Sequence, residues 1–387
     1  MTSEALKPGP ERQGQPAQGE LKLDTPKELS EQEMTNSARL IFDEFVINAL
    51  PTLFTMVANG EGKQKLDVVG GRPGEKRSLI DLTAHHLFAK IVEKHTKAGL
   101  PCAILSEEDI DISSLKDAKK FLVFTDDPID NSSPYAKGVK GAGVYSIKSA
   151  CDQDGKVIMG LSIDIENATV IISRDGKNFL QTFEMVEKSN GDPKHKEFVF
   201  KTENDKIKMT ETEIFPSRRK TLADPDATFY SFMGETKWGK LAVDTFLPKL
   251  FDVLDPKAHS ELSRGGSHIY PFFLARGQGE AYAINDEPFS EIFTAWAAII
   301  NAKLTVWAAK KDGSISEIKF NPKEFIESPK LYEEGYVEFL IVTVTPEIAR
   351  EIADSYFKQI KESKIIKEKI AFADSRPEEF EIFRAAK

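Results

Sequence analysis

Apolar residues recur at helical spacing from about residue 37, where Leu40, Ile41, Phe45, Val46 and Leu50 share a face. Pro51 is expected to bend or divide that helix, since it brings no N–H and crowds the preceding turn. Residues 60–77 are rich in Gly, Lys and Arg and read as a loop. A second helix is predicted over 79–95, with Leu82, Leu87, Ile91 and Val92 on its inner side. Two short apolar runs follow, 102–105 and 121–124, and each ends in acid. Both read as buried strands, and ligands gather at the C-terminal ends of such strands in layered α/β sheets.

A meander is predicted next, with strands over 143–150, 157–164 and 168–173 joined by Asp- and Gly-containing turns. Residues 189–208 are charged and poor in apolar side chains, so they read as a surface excursion. Helices are predicted over 239–254, 269–276 and 289–302, and strands over 304–309 and 338–344. Thr345 and Pro346 supply an N-cap and a first-turn proline for a last helix that carries Ile348, Ile352, Tyr356 and Ile360. Helices, a strand-rich middle and then alternating elements make an α+β chain.

Before this ordered part, residues 1–36 hold Pro8, Pro10, Pro16 and Pro26 and no aromatic residue, which predicts a disordered tail. The ordered domain is placed at 37–360 and a charged C-terminal extension at 361–387. The chain has 387 residues, 52 Lys+Arg against 62 Asp+Glu and a formal charge of −10. That balance argues against nucleic acid as a partner, because counterion release needs basic surface. It leaves room for a small phosphorylated ligand. The two cysteines, Cys102 and Cys151, form neither a disulfide framework nor a metal spacing, so a reducing, cytoplasmic location is expected. No apolar run is read as membrane-spanning, so no membrane association is expected.

The acidic strand ends carry the chemistry. Asp127-Pro128-Ile129-Asp130 offers two carboxylates three residues apart, and Glu107 and Glu108 end the other strand. Hard divalent cations take such oxygen ligands without any deprotonation at neutral pH. Asn131, Ser132 and Ser133 follow, where a turn would aim backbone N–H groups at an anion. Taken alone, each piece is an ordinary solvated turn. Their common placement after strands points to metal and phosphate.

These residues resemble the metal-dependent, lithium-sensitive phosphatases that include inositol monophosphatase and fructose-1,6-bisphosphatase. Asp127-Pro128-Ile129-Asp130-Asn131-Ser132 matches the family's Asp-Pro-(Ile/Leu)-Asp-Gly-(Ser/Thr) pattern, and Glu107-Glu108 matches its earlier Glu-Glu pair. Asp81, Gly266-Ser267 and Glu280-Ala281-Tyr282 match further family positions. The resemblance implies a layered α/β/α/β/α sandwich with two mixed sheets, the sugar phosphatase fold. It implies two or three Mg²⁺ ions held by Glu107, Asp127, the Ile129 carbonyl, Asp130 and Glu291. Asp81, Glu107 and Ser132 are then the catalytic residues, with Glu108 a further candidate. Asn131, Ser132 and Ser133 take the substrate phosphate, while Gly266 and Ser267 line the substrate pocket. The implied activity is a phosphomonoesterase acting on a small phosphorylated polyol or sugar, and the homodimer common in the family is the oligomer that the resemblance implies.

Four positions depart from the pattern. Asn131 replaces Gly, Glu291 replaces Asp, Ser290 replaces Trp, and Ile284 stands where an inositol-contacting Glu is found. They motivate the alternative of a family member that binds a ligand or partner with little or no catalysis. His85 and His86 are read as surface or packing residues, and Arg218-Arg219-Lys220 as a solvated basic patch.

Overall fold

The structure is a computed structural model that describes residues 29–67, 76–106, 109–115, 118–138, 143–188, 195–224, 226–232, 259–263, 269–309 and 315–362. The first helix, α1, spans Glu31–Ala58 and so begins before the expected boundary at residue 37. A capping box sets its start. The Ser30 hydroxyl accepts the Glu33 N–H (3.2 Å), and the Glu33 carboxylate accepts the Ser30 N–H (2.9 Å). Pro51 does not divide α1, because Ala49, Leu50 and Leu53 are buried around it and hold both halves on the core. Contrary to the expectation from the sequence, α1 is long and apolar enough to cross a membrane by length and composition alone. In this fold its Met34, Ile41, Phe42, Phe45 and Leu53 are core residues. Helix α2 spans Leu79–Lys97 and buries Ile80, Ala84, His85, Phe88, Ile91 and Val92, while Leu82 and Leu87 sit at the margin.

An eight-stranded sheet lies under α1 and α2. From one edge its strands are Met209–Ile214, Lys177–Phe183, Thr169–Arg174, Val157–Asp164, Tyr145–Asp152, Leu122–Asp130, Cys102–Ser106 and Ile110–Asp111. The pair Cys102–Ser106 with Leu122–Asp130 is parallel, and the others are antiparallel. A six-stranded sheet follows in the order His259–Ser263, Thr228–Phe232, Ala281–Pro288, Tyr336–Thr343, Thr305–Ala309 and Ile315–Glu317, and it too mixes parallel and antiparallel pairs. Short helices lie between the sheets, and the helix Pro346–Glu362 covers the outer face of the second. These are the five layers implied by the family resemblance.

Strand alternation builds the core in three parts. Leu122 and Phe124 face α1 and α2, while Val123 between them faces the middle layer. In the second sheet Leu340 and Val342 face the middle, while Phe339 and Ile341 face the outer helix. With both faces covered, these strands read as continuous apolar runs rather than alternating ones.

Three expectations change. The helix predicted over 289–302 is two helices, Phe289–Thr294 and Trp296–Asn301, broken at Ala295. Hydroxyls of the large sheet complete the break. Thr125 Oγ1 donates to the Phe293 carbonyl (2.8 Å), and Ser149 Oγ donates to that of Thr294 (2.7 Å) while accepting the Ala297 N–H (3.0 Å). The charged excursion carries a strand, Glu197–Phe200, that pairs with Met185–Lys188 before it and docks on the end of α1. There Phe198 meets Phe54 edge-on at 5.0 Å. Finally, Arg219 is not a solvated cation: it pairs with Glu280 (2.8 Å) and Asp224 (3.2 Å). The helix predicted over 239–254 lies outside the described residues, as do residues 1–28 and 363–387.

Ser30→Ala is expected to lower stability by about 1 kcal/mol, the usual cost of losing an N-cap side chain. Urea denaturation followed by circular dichroism reads this as a lower midpoint with an unchanged slope.

Candidate active site

The strand Leu122–Asp130 presents the site. It is buried along its nine residues and continues through the acidic motif that the sequence placed after it. Asp127 faces Ile147 and Asp130 faces Tyr145, so three steps on one strand match two on its neighbour. This bulge re-aims the acids and leaves room for Pro128, which has no N–H to give the ladder. Asn131 then turns the chain at a φ of 70°, where the family pattern has Gly. Asn tolerates this left-handed conformation better than other residues with a Cβ. The short helix Ser132–Ala136 begins immediately afterwards, with the Tyr135 N–H donating to the Asn131 carbonyl (3.0 Å).

Asp81 reaches this strand end from α2. It is the third residue of that helix and closes a capping box with Ser78: Ser78 Oγ donates to Asp81 Oδ2 (2.6 Å), and so does the Ser78 N–H (3.1 Å). The Ser132 hydroxyl also donates to the Asp81 carboxylate, and the charge of Asp127 acts on it. Burial, reinforced by Asp127, pushes the Asp81 carboxyl up to about 6 against the hydrogen bonds from Ser78 and Ser132. The fold therefore brings Asp81, Asp127 and Ser132 together.

Asp130 is buried at the same strand end, and its Oδ2 accepts the Ile269 N–H (3.2 Å). Ile129 is buried between the two acids. Tyr145, opposite Asp130, opens onto a cleft of about 560 Å³ lined also by Asp164, Asn167, Tyr230, Phe273, Arg276 and Gln278. Burial, then the charges of Asp164 and Asp130, raise the Tyr145 phenol well above its ordinary range. Glu291 is half-buried in the first turn of Phe289–Thr294, the helix tied to the site strand through Thr125. Ser290 is buried behind it, and Ile284 packs in the middle core rather than facing a ligand. Glu107, Glu108, Gly266 and Ser267 lie outside the described residues. Ser133 follows Ser132 in the short helix.

One charged group escaped the sequence reading. Asp126, the neighbour of Asp127, is fully buried and pairs with an equally buried Lys148 at 2.5 Å. His85 of α2 approaches the other carboxylate oxygen at 3.3 Å, and the Ser106 hydroxyl lies 3.4 Å from it. Burial would raise Asp126, but Lys148 and His85 outweigh it and hold the carboxyl below its ordinary value. His85 is thus part of a charged network, while His86 is exposed, as expected. A signal was present. Alternation in Tyr145–Asp152 puts Ser146, Lys148 and Ala150 on the helix-covered face, where a lysine demands a partner.

The donor chemistry here fits a hard divalent cation. The set is oxygen only, it is buried, and two of its carboxylates repel each other. Among the described residues no three His, Cys, Asp or Glu side chains converge on a single ion position. Glu107, placed by the resemblance in the same set, is not among them.

No family model matches the sequence, and no curated protein matches it. Solved structures do match. The inositol monophosphatase of Thermotoga maritima has a TM-score of 0.54 at 14% identity, covering 84% of this chain and 99% of that one. The extragenic suppressor protein suhB of Bartonella henselae has a TM-score of 0.53 at 14% identity, covering 82% and 99%. An IMPase/NADP phosphatase, solved with NADP and Ca²⁺, has a TM-score of 0.51 at 13% identity, covering 85% and 97%. The chain has the fold of the inositol monophosphatases.

The raised Asp81 gives a signed prediction. Below its ordinary value of 3.8 both folded and unfolded forms bind the proton, and the full stability is present. As pH rises toward about 6 the unfolded chain releases that proton first, so stability falls. In EDTA, this group is expected to remove up to about 3 kcal/mol between pH 4 and 7. Asp81→Asn is expected to flatten that part of the profile in urea titrations.

Proposed function

We propose that this chain is a Mg²⁺-dependent phosphomonoesterase acting on a small phosphorylated polyol or sugar. The observation that carries the reading is the meeting of Asp81, Asp127 and Ser132 at the end of a buried strand. Asp127, Asp130, the Ile129 carbonyl, Glu291 and Glu107 would hold the ions. Bound there, Mg²⁺ would supply positive charge against the oxygens of a phosphate ester and favour ionisation of water.

The chain's own residues do the rest. Ser132 Oγ, hydrogen-bonded to Asp81, orients a water beside the pair. Asp81 accepts that water's proton, its carboxylate held in place by the hydrogen bonds from Ser78 and Ser132. Backbone N–H groups at Asn131, Ser132 and Ser133 face the phosphate oxygens. The left-handed turn at Asn131 presents them without a glycine. The polyol occupies the cleft beyond Tyr145, where Arg276, Asn167 and Gln278 offer donors to its hydroxyls. The IMPase/NADP phosphatase solved with NADP and Ca²⁺ supports both the phosphate chemistry and the divalent ion. Cys102 and Cys151 are both buried and free, which agrees with a cytoplasmic location.

A second reading, ligand binding without turnover, is favoured by two observations. Ile284 is buried in the core, and no three ligating side chains converge among the described residues.

Phosphate release should be measured over inositol phosphates, fructose bisphosphate, other sugar phosphates and 3′-phosphoadenosine compounds. Release is expected in Mg²⁺ and not in EDTA, and Asp127→Ala is expected to cost roughly 100-fold or more. Activity indifferent to both would end this mechanism. Mg²⁺ binding with no turnover across the panel would select the second reading.

A further inference from the structure

Asp126, Lys148 and His85 have no part in the chemistry above, yet they lie directly beneath it. Lys148 is wholly buried, with its ammonium 4.3 Å from the Phe45 ring centre and 4.8 Å from that of Phe88. It also donates to Ser146 Oγ (2.9 Å). A lysine so placed must have its charge met inside the protein. Asp126 meets it, and Asp126 is itself held by His85 and Ser106.

The arrangement has two rungs. Along α2, Asp81 and His85 are four residues apart and so share a face. Along the site strand, Asp126 and Asp127 are adjacent. One rung joins His85 to Asp126, and along the other the charge of Asp127 acts on Asp81. The first is a hydrogen bond to a carboxylate that Lys148 already pairs. The second sets two carboxylates together, and left to itself it would spread apart.

We propose that the Lys148, Asp126 and His85 network is a positioning device that holds the site strand against α2. It thereby fixes the spacing of Asp81 and Asp127. Lys148 anchors Asp126 from the neighbouring strand, His85 anchors it from the helix, and the two elements that carry Asp81 and Asp127 are kept in place. This rests on reading Asp127 as an ion ligand and Asp81 as the proton acceptor beside it. The network acts through those residues and touches neither ion nor substrate.

The test uses the full chain. Asp126→Leu with Lys148→Met removes both charges and keeps the volume, so it folds where either single change would leave a bare buried charge. His85→Leu removes the helix anchor, and His85→Gln keeps a donor. Mg²⁺ affinity by calorimetry is expected to fall about 10- to 100-fold in the double variant and in His85→Leu, the range seen when outer partners of metal ligands are lost. His85→Gln is expected to restore most of it. Amide exchange over residues 79–88 and 126–132 should quicken in the same variants, with that of the helix Pro346–Glu362 unchanged. Wild-type affinity together with wild-type exchange in the folded double variant would overturn the proposal. If the wild-type chain takes up no Mg²⁺, the ion-binding reading fails by itself. The exchange data then still decide the clamp, since unchanged protection at the two rungs rejects it.

Discussion

A carboxylate taken out of water needs a counter-charge, a proton or a set of hydrogen bonds, and Asp126 and Asp81 meet this need differently. Asp126 has a lysine. Asp81 has the Ser78 capping box and a raised affinity for its proton. Asp127 presses on Asp81 and adds to its difficulty. Ordinary cores avoid such crowding, because each unmet charge costs several kcal/mol. The chain commits a strand buried along all nine of its residues to carrying two of these acids, and the rest of the architecture serves to cover that strand.

The covering explains the layers. A strand with acids at its end and apolar residues along both faces needs packing on two sides. Phe42, Phe45 and Phe88 supply one side, where their rings cluster with Phe124 at 5.4–6.3 Å. The broken helix pair supplies the other, through Ile292, Phe293 and Trp296. The second sheet and its outer helix then close the far side of that pair.

The residues show how much of this was legible. Asp127, Asp130 and Ser132 were readable because their motif is local and their spacing survives in one dimension, whereas Asp81 came only from the family resemblance. The two mixed sheets followed from the resemblance rather than from periodicity, since strands covered on both faces carry no alternating signature. The start of α1 was available in Ser30 and Glu33 but was masked by the proline-rich segment before it. Asp126 with Lys148 was harder, because the two are 22 residues apart and meet only once the strands pair. The break at Ala295 had no Pro or Gly to mark it in its own segment. Its cause is two hydroxyls on another sheet.

Those two hydroxyls have a consequence for descent. Thr125 and Ser149 complete a helix that lies more than a hundred residues away in the chain. Neither can change to an apolar residue without burying a bare carbonyl, and the helix cannot straighten without stranding the hydroxyls. Sheet hydroxyls and helix break are therefore inherited as one character. In any lineage that shares this fold, a change at position 125 or 149 should travel with a change between 293 and 297.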